Sequence, residues 1–267
     1  MKAIRLAATV LIVVIAMASV LGSLLPIFDY ARQDRERINA GVSAAHWLGT
    51  DDLGRDRLSR LLHGTQVSLL LAPAAAALSM LLALVIGAAS GLIGGFAERS
   101  SKLIIDLFLS IPWLFLLLIV RAMLPLNTSP ALSAVVTFLM LGALGWAAPA
   151  RILQARASRL RHAPFILLAR AAGISRCRLV SHHVLPNLRP VLLAQFWISV
   201  PVFILAEANL SLLGLGVAEP LPSLGSLLRE LESALSLGSD VCRFAALMVL
   251  ILVVSSLQIA VPQQEAC

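Results

Sequence analysis

Residues 61–97 read LLHGTQVSLLLAPAAAALSMLLALVIGAASGLIGGFA, 37 positions without an Asp, Glu, Lys or Arg. About 20 consecutive apolar residues suffice to cross the hydrocarbon of a bilayer. A helix over about Val67–Phe96 fits the run and is long enough to cross at a tilt. Gly87, Gly91 and Gly95 fall at i, i+4 and i+8, on one face of that helix. Small residues at this spacing let two membrane helices approach closely.

The rest of the chain has the same character. Of its 267 residues, 59% are hydrophobic and 13% charged. A soluble domain has about 45–50% apolar and about 25% charged residues. The mean hydropathy of +0.92 agrees. Even large soluble domains bury only about 75% of the surface their unfolded chains expose. A soluble cytoplasmic enzyme is therefore a poor fit, and the length allows roughly six crossings plus loops. The expected fold class is an all-α membrane protein with six transmembrane helices.

Outward from residues 61–97, five further apolar runs appear. Leu6–Phe28 is uncharged and follows Lys2 and Arg5. It outruns the apolar region of a signal peptide, about 7–15 residues, so it reads as an uncleaved first span. Past the short charged break Glu98–Lys102 come Leu103–Val120, with Asp106 near its start and Pro112 inside, and then a turn at Pro125–Pro130. Ala131–Ala150 closes with Gly145 and Pro149. Pro190–Leu213 is apolar except for Glu207, and Phe244–Val261 is the last run.

Charge orients these six. Asp29–Arg60 holds six arginines and six acids, and Gly214–Arg243 four acids against two arginines. Arg151–Arg189 carries eight arginines, His162, His182 and His183, and no acid. With the N-terminus inside, the basic loop falls in the cytoplasm, as basic loops of membrane proteins do. Both termini are then cytoplasmic. A net charge of +7 could suggest nucleic-acid binding in a soluble protein. Here the arginines belong to a loop of a multi-pass protein, so no nucleic acid is expected.

Catalytic motifs are absent. There is no G-x-x-x-x-G-K-[ST], and Lys2 and Lys102 are the only lysines, so no phosphate-cradling P-loop can form. There is no H-E-x-x-H or G-x-S-x-G. His182 and His183 are adjacent and point to different helix faces, and Cys177, Cys242 and Cys267 are far apart. No catalytic, cofactor or metal site is assigned. Asp106 and Glu207 are the acids within the apolar runs. Acids in a membrane are costly and functionally suspect, and both are expected to serve packing or gating. Asp51, Asp52, Arg55, Asp56, Arg57 and Arg60 alternate in sign, and local pairing that fixes the start of the second span is the expectation.

Three stretches carry a resemblance. His46-Trp47-Leu48-Gly49-Thr50-Asp51-Asp52-Leu53-Gly54-Arg55-Asp56, followed by Leu58-Ser59-Arg60-Leu61, resembles the H-x-L-G-T-D-x-x-G-R-D-x-x-S-R-L signature. That signature belongs to C-type permease subunits of dipeptide, oligopeptide and nickel ABC importers. Ala169-Arg170-Ala171-Ala172-Gly173, Arg178-Leu179 and His183-Val184-Leu185-Pro186-Asn187 resemble the Glu-Ala-Ala loop of type I importer permeases. Ile204–Gly216 resembles the fifth span of the same subfamily. Two departures stand out: Leu167 and Leu168 replace the glutamate and an alanine of the loop, and the family's Gly-Asp-Gly-Leu-Arg-Asp-like tail is not visible in Ser255–Cys267.

The resemblance implies a type I importer permease fold, with residues 1–65 an N-terminal transmembrane helix and external segment. Residues 66–267 would be the permease core, with a cytoplasmic coupling loop at 151–187. It implies a non-enzymatic subunit of a bacterial inner-membrane importer. Its partners would be a second permease in a heterodimer, two ATPase subunits and an external substrate-binding protein. Peptides are the implied cargo, with nickel or another small solute as the alternative. A different class, an intramembrane enzyme or a lipid-binding anchor, stays open at this point. Within the loop, Pro164 can start a short helix and Gly173 can end it. Phe165, Leu168, Ala169, Ala172 and Gly173 are the expected ATPase-docking residues, with small Ala169, Ala171 and Ala172 leaving room for a partner. Leu185-Pro186 is expected to break the following helix before the membrane.

Overall fold

In the computed structural model the residues described are 2–25, 29–123, 129–234 and 241–260. Most of the Pro125–Pro130 turn, part of the last loop and the tail beyond Ala260 lie outside them. Most of the described residues are helical; residues 29–56 and 213–223 are turns and loop, with isolated bridges at Gln33–Arg55 and Thr50–Asp56. In chain order the helices are α1 Lys2–Leu24, α2 Arg57–Ala83, α3 Ala89–Ile93, α4 Gly95–Ser110, α5 Trp113–Met123 and α6 Pro130–Leu144. There follow α7 Ala147–Arg161, α8 Pro164–Ala171, α9 Arg176–Leu179, α10 Leu185–Leu212, α11 Leu224–Ala234 and α12 Ala245–Ala260. Single π-helical turns at Leu84–Ala88 and Val180–Val184 join α2 to α3 and α9 to α10.

Among the described residues four helical stretches are long and apolar enough to cross a bilayer: Ala3–Ser23, Arg57–Ile93, Pro130–Arg161 and Val180–Leu212. A fifth is the pair α4 and α5, bent by 84° where Pro112 interrupts the backbone ladder. The sixth apolar run, α12, has only 16 residues. At about 1.5 Å per residue its described part covers less than a hydrocarbon core of about 30 Å. Among the described residues each of the six runs thus contains helix, of unequal length.

The boundaries move for identifiable reasons. The reversal after the second span is made by Gly94 and Gly95, with φ of +77° and +60°, and not by Glu98–Lys102. Those charges ride on the first turns of α4. Leu185-Pro186 does not break its helix. The backbone N–H of Leu185 reaches back to Val180 O, and this widened turn carries the chain past the proline. The basic stretch begins as α7 rather than as loop, and the last loop contains α11.

Apolar contact alone gives little drive for helix association in lipid, so close backbone packing matters more. A Cβ at Gly142 would lie 2.6 Å from Ala75 O, and one at Gly87 2.3 Å from Ala150 O. Gly91 likewise abuts α7, at Gln154 O. Gly95, the third residue of the expected stripe, lies beyond the break and faces open space. Two packed clusters result. One joins α2, α5, α6, the second half of α10 and α12 around Phe138, Phe203 and Ile204. The other joins α4, α7 and α8 to the start of α10 around Trp146, Leu153 and Ile166.

Candidate functional site

The chain's polar groups gather at two opposite ends. At the basic end, α8 begins with Pro164 as its first residue, where the missing N–H costs nothing. It ends in a full Schellman motif: Gly173 N donates to Arg170 O at 3.0 Å and Ile174 N to Ala169 O at 3.2 Å. Gly173 has φ +75°, and a Cβ there would meet nothing within 4 Å. The glycine answers a backbone requirement alone.

The faces of α8 differ from the expectation in one respect. Ala169 is buried together with Ile166 against the chain's own second cluster. Its small size lets α8 seat on α7 and α9; it is not room for another subunit. Phe165, Leu168 and Ala172, at i, i+3 and i+7, form the outward ridge, and Leu168 is 70% exposed. Leu167, where the family loop has glutamate, is also exposed. Beside this ridge α4 and α7 run antiparallel and are tied by Glu98–Arg161 at 3.3 Å and Asp106–Arg151 at 2.9 Å. Asp106 is thus a half-exposed partner of an arginine rather than an isolated membrane acid.

At the mixed-charge end, Asp56 caps α2, its Oδ2 accepting from Ser59 N at 2.7 Å, while its Oδ1 lies 3.0 Å from His46 Nδ1. Asp51 Oδ1 accepts from Leu53 N and Arg55 N, and its Oδ2 from Arg55 Nε at 2.6 Å. The pairing is not only local. Arg55 Nη1 donates to Glu219 at 2.8 Å, and the buried Arg60 pairs with Glu230 on α11. Burial pushes the Glu230 carboxyl up to about 7; Arg60 and Arg55 pull against that, and Asp51 and Glu219 add to it. The alternating charges therefore clasp the start of α2 to α11, some 170 residues later.

Glu207 lies on α10 and has no exposed surface. Its Oε1 accepts from Ser211 Oγ and Ser223 Oγ, each at 2.7 Å, and its Oε2 from Gly225 N at 3.3 Å. Ser223 and Gly225 stand at the start of α11. Sequence reasoning missed Arg121, which looks like a flank of the following turn but is buried. Its Nε donates to Leu215 O at 2.9 Å and its Nη2 to Gly216 O at 3.2 Å, holding the segment after α10 against α5. No sequence signal marks it, because its acceptors are backbone carbonyls far along the chain.

Residues 83–263 match the family described as binding-protein-dependent transport system inner membrane component. The chain is 35% identical over 253 residues to the oligopeptide transport system permease protein OppC of Mycobacterium tuberculosis, covering 94% of this chain and 84% of that one. It is 30% identical to the protein of the same name from Bacillus subtilis, covering 82% and 70%. It is 32% identical to the glutathione transport system permease protein GsiD of Pectobacterium atrosepticum, covering 85% and 72%. An intramembrane enzyme or a lipid anchor is set aside by this kinship. The chain belongs to the family of binding-protein-dependent transport system inner membrane components and is a permease subunit with the type I importer fold.

Proposed function

We propose that this permease forms half of the path by which an ATP-driven importer takes up peptides, and that a separate ATPase subunit grips it at α8. The observation that carries the docking is the outward apolar ridge Phe165, Leu168 and Ala172 at the basic end. Its helix is fixed at both ends and keyed by Ile166 and Ala169 into the cluster it shares with α7 and α9. A load applied to α8 therefore reaches α7 directly and α10 through α9 and the Val180–Val184 turn. Gly173 aims the exit toward α9 and α10.

Peptide cargo is supported by the printed names of the relatives, which are permease proteins for oligopeptides or glutathione. The basic end faces the cytoplasm by the positive-inside rule, which puts both termini inside and the Asp51–Glu230 clasp outside the cell membrane. Residues 1–65 form an anchor helix with an external segment, and residues 66–267 the core with its coupling loop at 151–187. ATP hydrolysis belongs to two partner subunits. A second, different permease completes the path, and an external binding protein delivers the cargo. Asp106 serves packing, by pinning α4 to α7.

The test is co-purification of the ATPase with the permease pair. Leu168→Glu places a charge on the outward ridge without touching the chain's own core. It should leave the pair intact and strip most of the ATPase. Full retention of the ATPase by Leu168→Glu would overturn the docking assignment.

A further inference from the structure

We infer that a groove halfway along the spans of this chain is a subsite for one uncharged residue of the peptide in transit, with the side-chain amide of Gln195 holding the peptide backbone. The inference rests on the permease reading and names which part of the cargo this chain touches, and where.

The groove holds about 330 Å³. Its walls include Phe108 of α4, Trp113 of α5, Ala148 of α7, and Gln195, Ile198 and Val202 of α10. Three helical stretches meet here near their midpoints. The α4–α5 pair bends by 84° around Pro112. Gly145 and Trp146 part α6 from α7, two helices of 15 residues each. Gln195 and Ser199 fall near the middle of the 33-residue stretch Val180–Leu212. The groove therefore lies at mid-depth in the bilayer. Residues 109–112, which make the bend, are exposed. Irregular backbone at this depth is tolerated against protein or a water-filled cavity, not against lipid. This face of the chain is thus turned to the path and not to the bilayer.

Unmet polar groups say what the groove receives. The backbone carbonyl of Gln195 accepts from Ser199 Oγ at 2.8 Å, but its side-chain amide bonds to no described residue. Nε1 of Trp113 is buried and also lacks a hydrogen-bond partner among them. Polar groups left unmet in an apolar site are costly. A primary amide both donates and accepts, so its complement does the same. A lipid tail does neither. A neighbouring membrane helix uses its backbone groups in its own ladder, whereas an extended peptide presents free N–H and C=O groups. No described residue that lines the groove is charged, and a charge buried there would go uncompensated. The volume is at the low end of the range for ligand clefts, about 300–1,000 Å³. One side chain with its backbone fits, and the charged peptide termini lie outside. Gln195 then grips any residue through its backbone, while the apolar walls favour an uncharged side chain. Ile198 and Val202 are 44% and 41% exposed, so the groove stands open to a visitor.

The experiment uses the assembled complex with its binding protein in vesicles. Uptake of labelled Ala-Ala-Ala and Ala-Phe-Ala is measured with the binding protein saturated. Each variant is compared with the parent on the same peptide, so the binding protein's own preference cancels. Ala148 is exposed in the groove, and Ala148→Trp fills it. This variant should lower Ala-Phe-Ala uptake about tenfold more than Ala-Ala-Ala uptake, the scale on which a pocket tells apolar side chains apart. Gln195→Leu should lower both by the same factor, since the two peptides share a backbone. A tripeptide with a central benzophenone side chain, illuminated during turnover of the parent, should attach to residues 108–116 or 195–203 of this chain. An equal fall of both peptides in Ala148→Trp, or no fall, overturns the subsite. So does an Ala148→Trp chain that folds but no longer holds the second permease, because the groove is then that subunit's seat. Undiminished uptake in Gln195→Leu, or a fall confined to one peptide, removes the assigned role of Gln195. Attachment confined to other residues or to another subunit also overturns the subsite, and it decides alone should Ala148→Trp yield no folded chain. A parent that hydrolyses ATP but takes up neither peptide would refute the peptide cargo and this subsite with it. With parent uptake intact, the contrary outcomes sink the subsite and leave the permease reading standing.

Discussion

Gly173 shows what a single residue decides here. Its φ of +75° closes the Schellman motif, and open space surrounds the missing Cβ. Gly173→Val should cost about 1 kcal/mol or more of backbone strain. Its larger effect should be to misaim α9 and α10, so that the ATPase stays bound weakly or hydrolyses ATP without transport. Gly173→Asn tolerates the left-handed region better and should retain more coupling. Ala169 behaves in the opposite sense. Because it faces the chain's own core, Ala169→Trp should lower the melting temperature of the permease pair even without ATPase, whereas Leu168→Glu should not. Glu230 adds a pH dependence. A carboxyl raised from 4.5 to about 7 in the folded chain contributes stability that is complete below pH 4.5 and lost as pH rises to about 7. The melting temperature of the purified pair should fall across that window, and Glu230→Gln should flatten the fall. Equal slopes for parent and variant would place the titration elsewhere.

At the scale of elements, what the sequence carried locally was legible and what it carried at a distance was not. The start of α8 at Pro164 and its end at Gly173 were readable because proline and glycine act on their own backbone. The role of Ala169 was not, because an alanine looks alike whether it faces a core or a partner. The reversal at Gly94-Gly95 was masked by the nearby charges of α4, which pair with arginines on α7. Pro186 looked like a break because a proline normally removes a helix bond; the π-turn before it could not be read from composition. The amphipathic α11 was hidden in a mixed loop, since its partners on α2 lie over 150 residues away. The glycine stripe was correct for the two residues that touch α7. Gly87→Val would push a side chain onto Ala150 O, now 2.3 Å from an added Cβ. It should cost the overpacking penalty of about 1–3 kcal/mol or more and sharply reduce recovery of folded permease, while Gly95→Ala meets no clash and should cost only the backbone strain of its φ of +60°, about 1 kcal/mol.

For the whole molecule, the charge asymmetry and the two polar ends agree. The clasp around Asp51, Arg55 and Arg60 and the short helix α8 sit at opposite ends of the same helices. Arg176→Cys should resist a membrane-impermeant thiol reagent in intact cells, while Trp47→Cys, 66% exposed in the segment before α2, should react. The reverse pattern would invert the orientation. The general fold was legible because a bilayer imposes long uncharged runs; the bent α4–α5 pair and the short α12 were less so, because hydropathy counts residues and not angles. The central claim is that this permease moves peptides at the expense of ATP hydrolysed by subunits docked on α8. The most direct measurement is uptake of labelled oligopeptides into vesicles bearing the purified complex with its binding protein. The account predicts uptake that requires ATP and is lost in Leu168→Glu. Uptake without ATP, or undiminished uptake in Leu168→Glu, would contradict it.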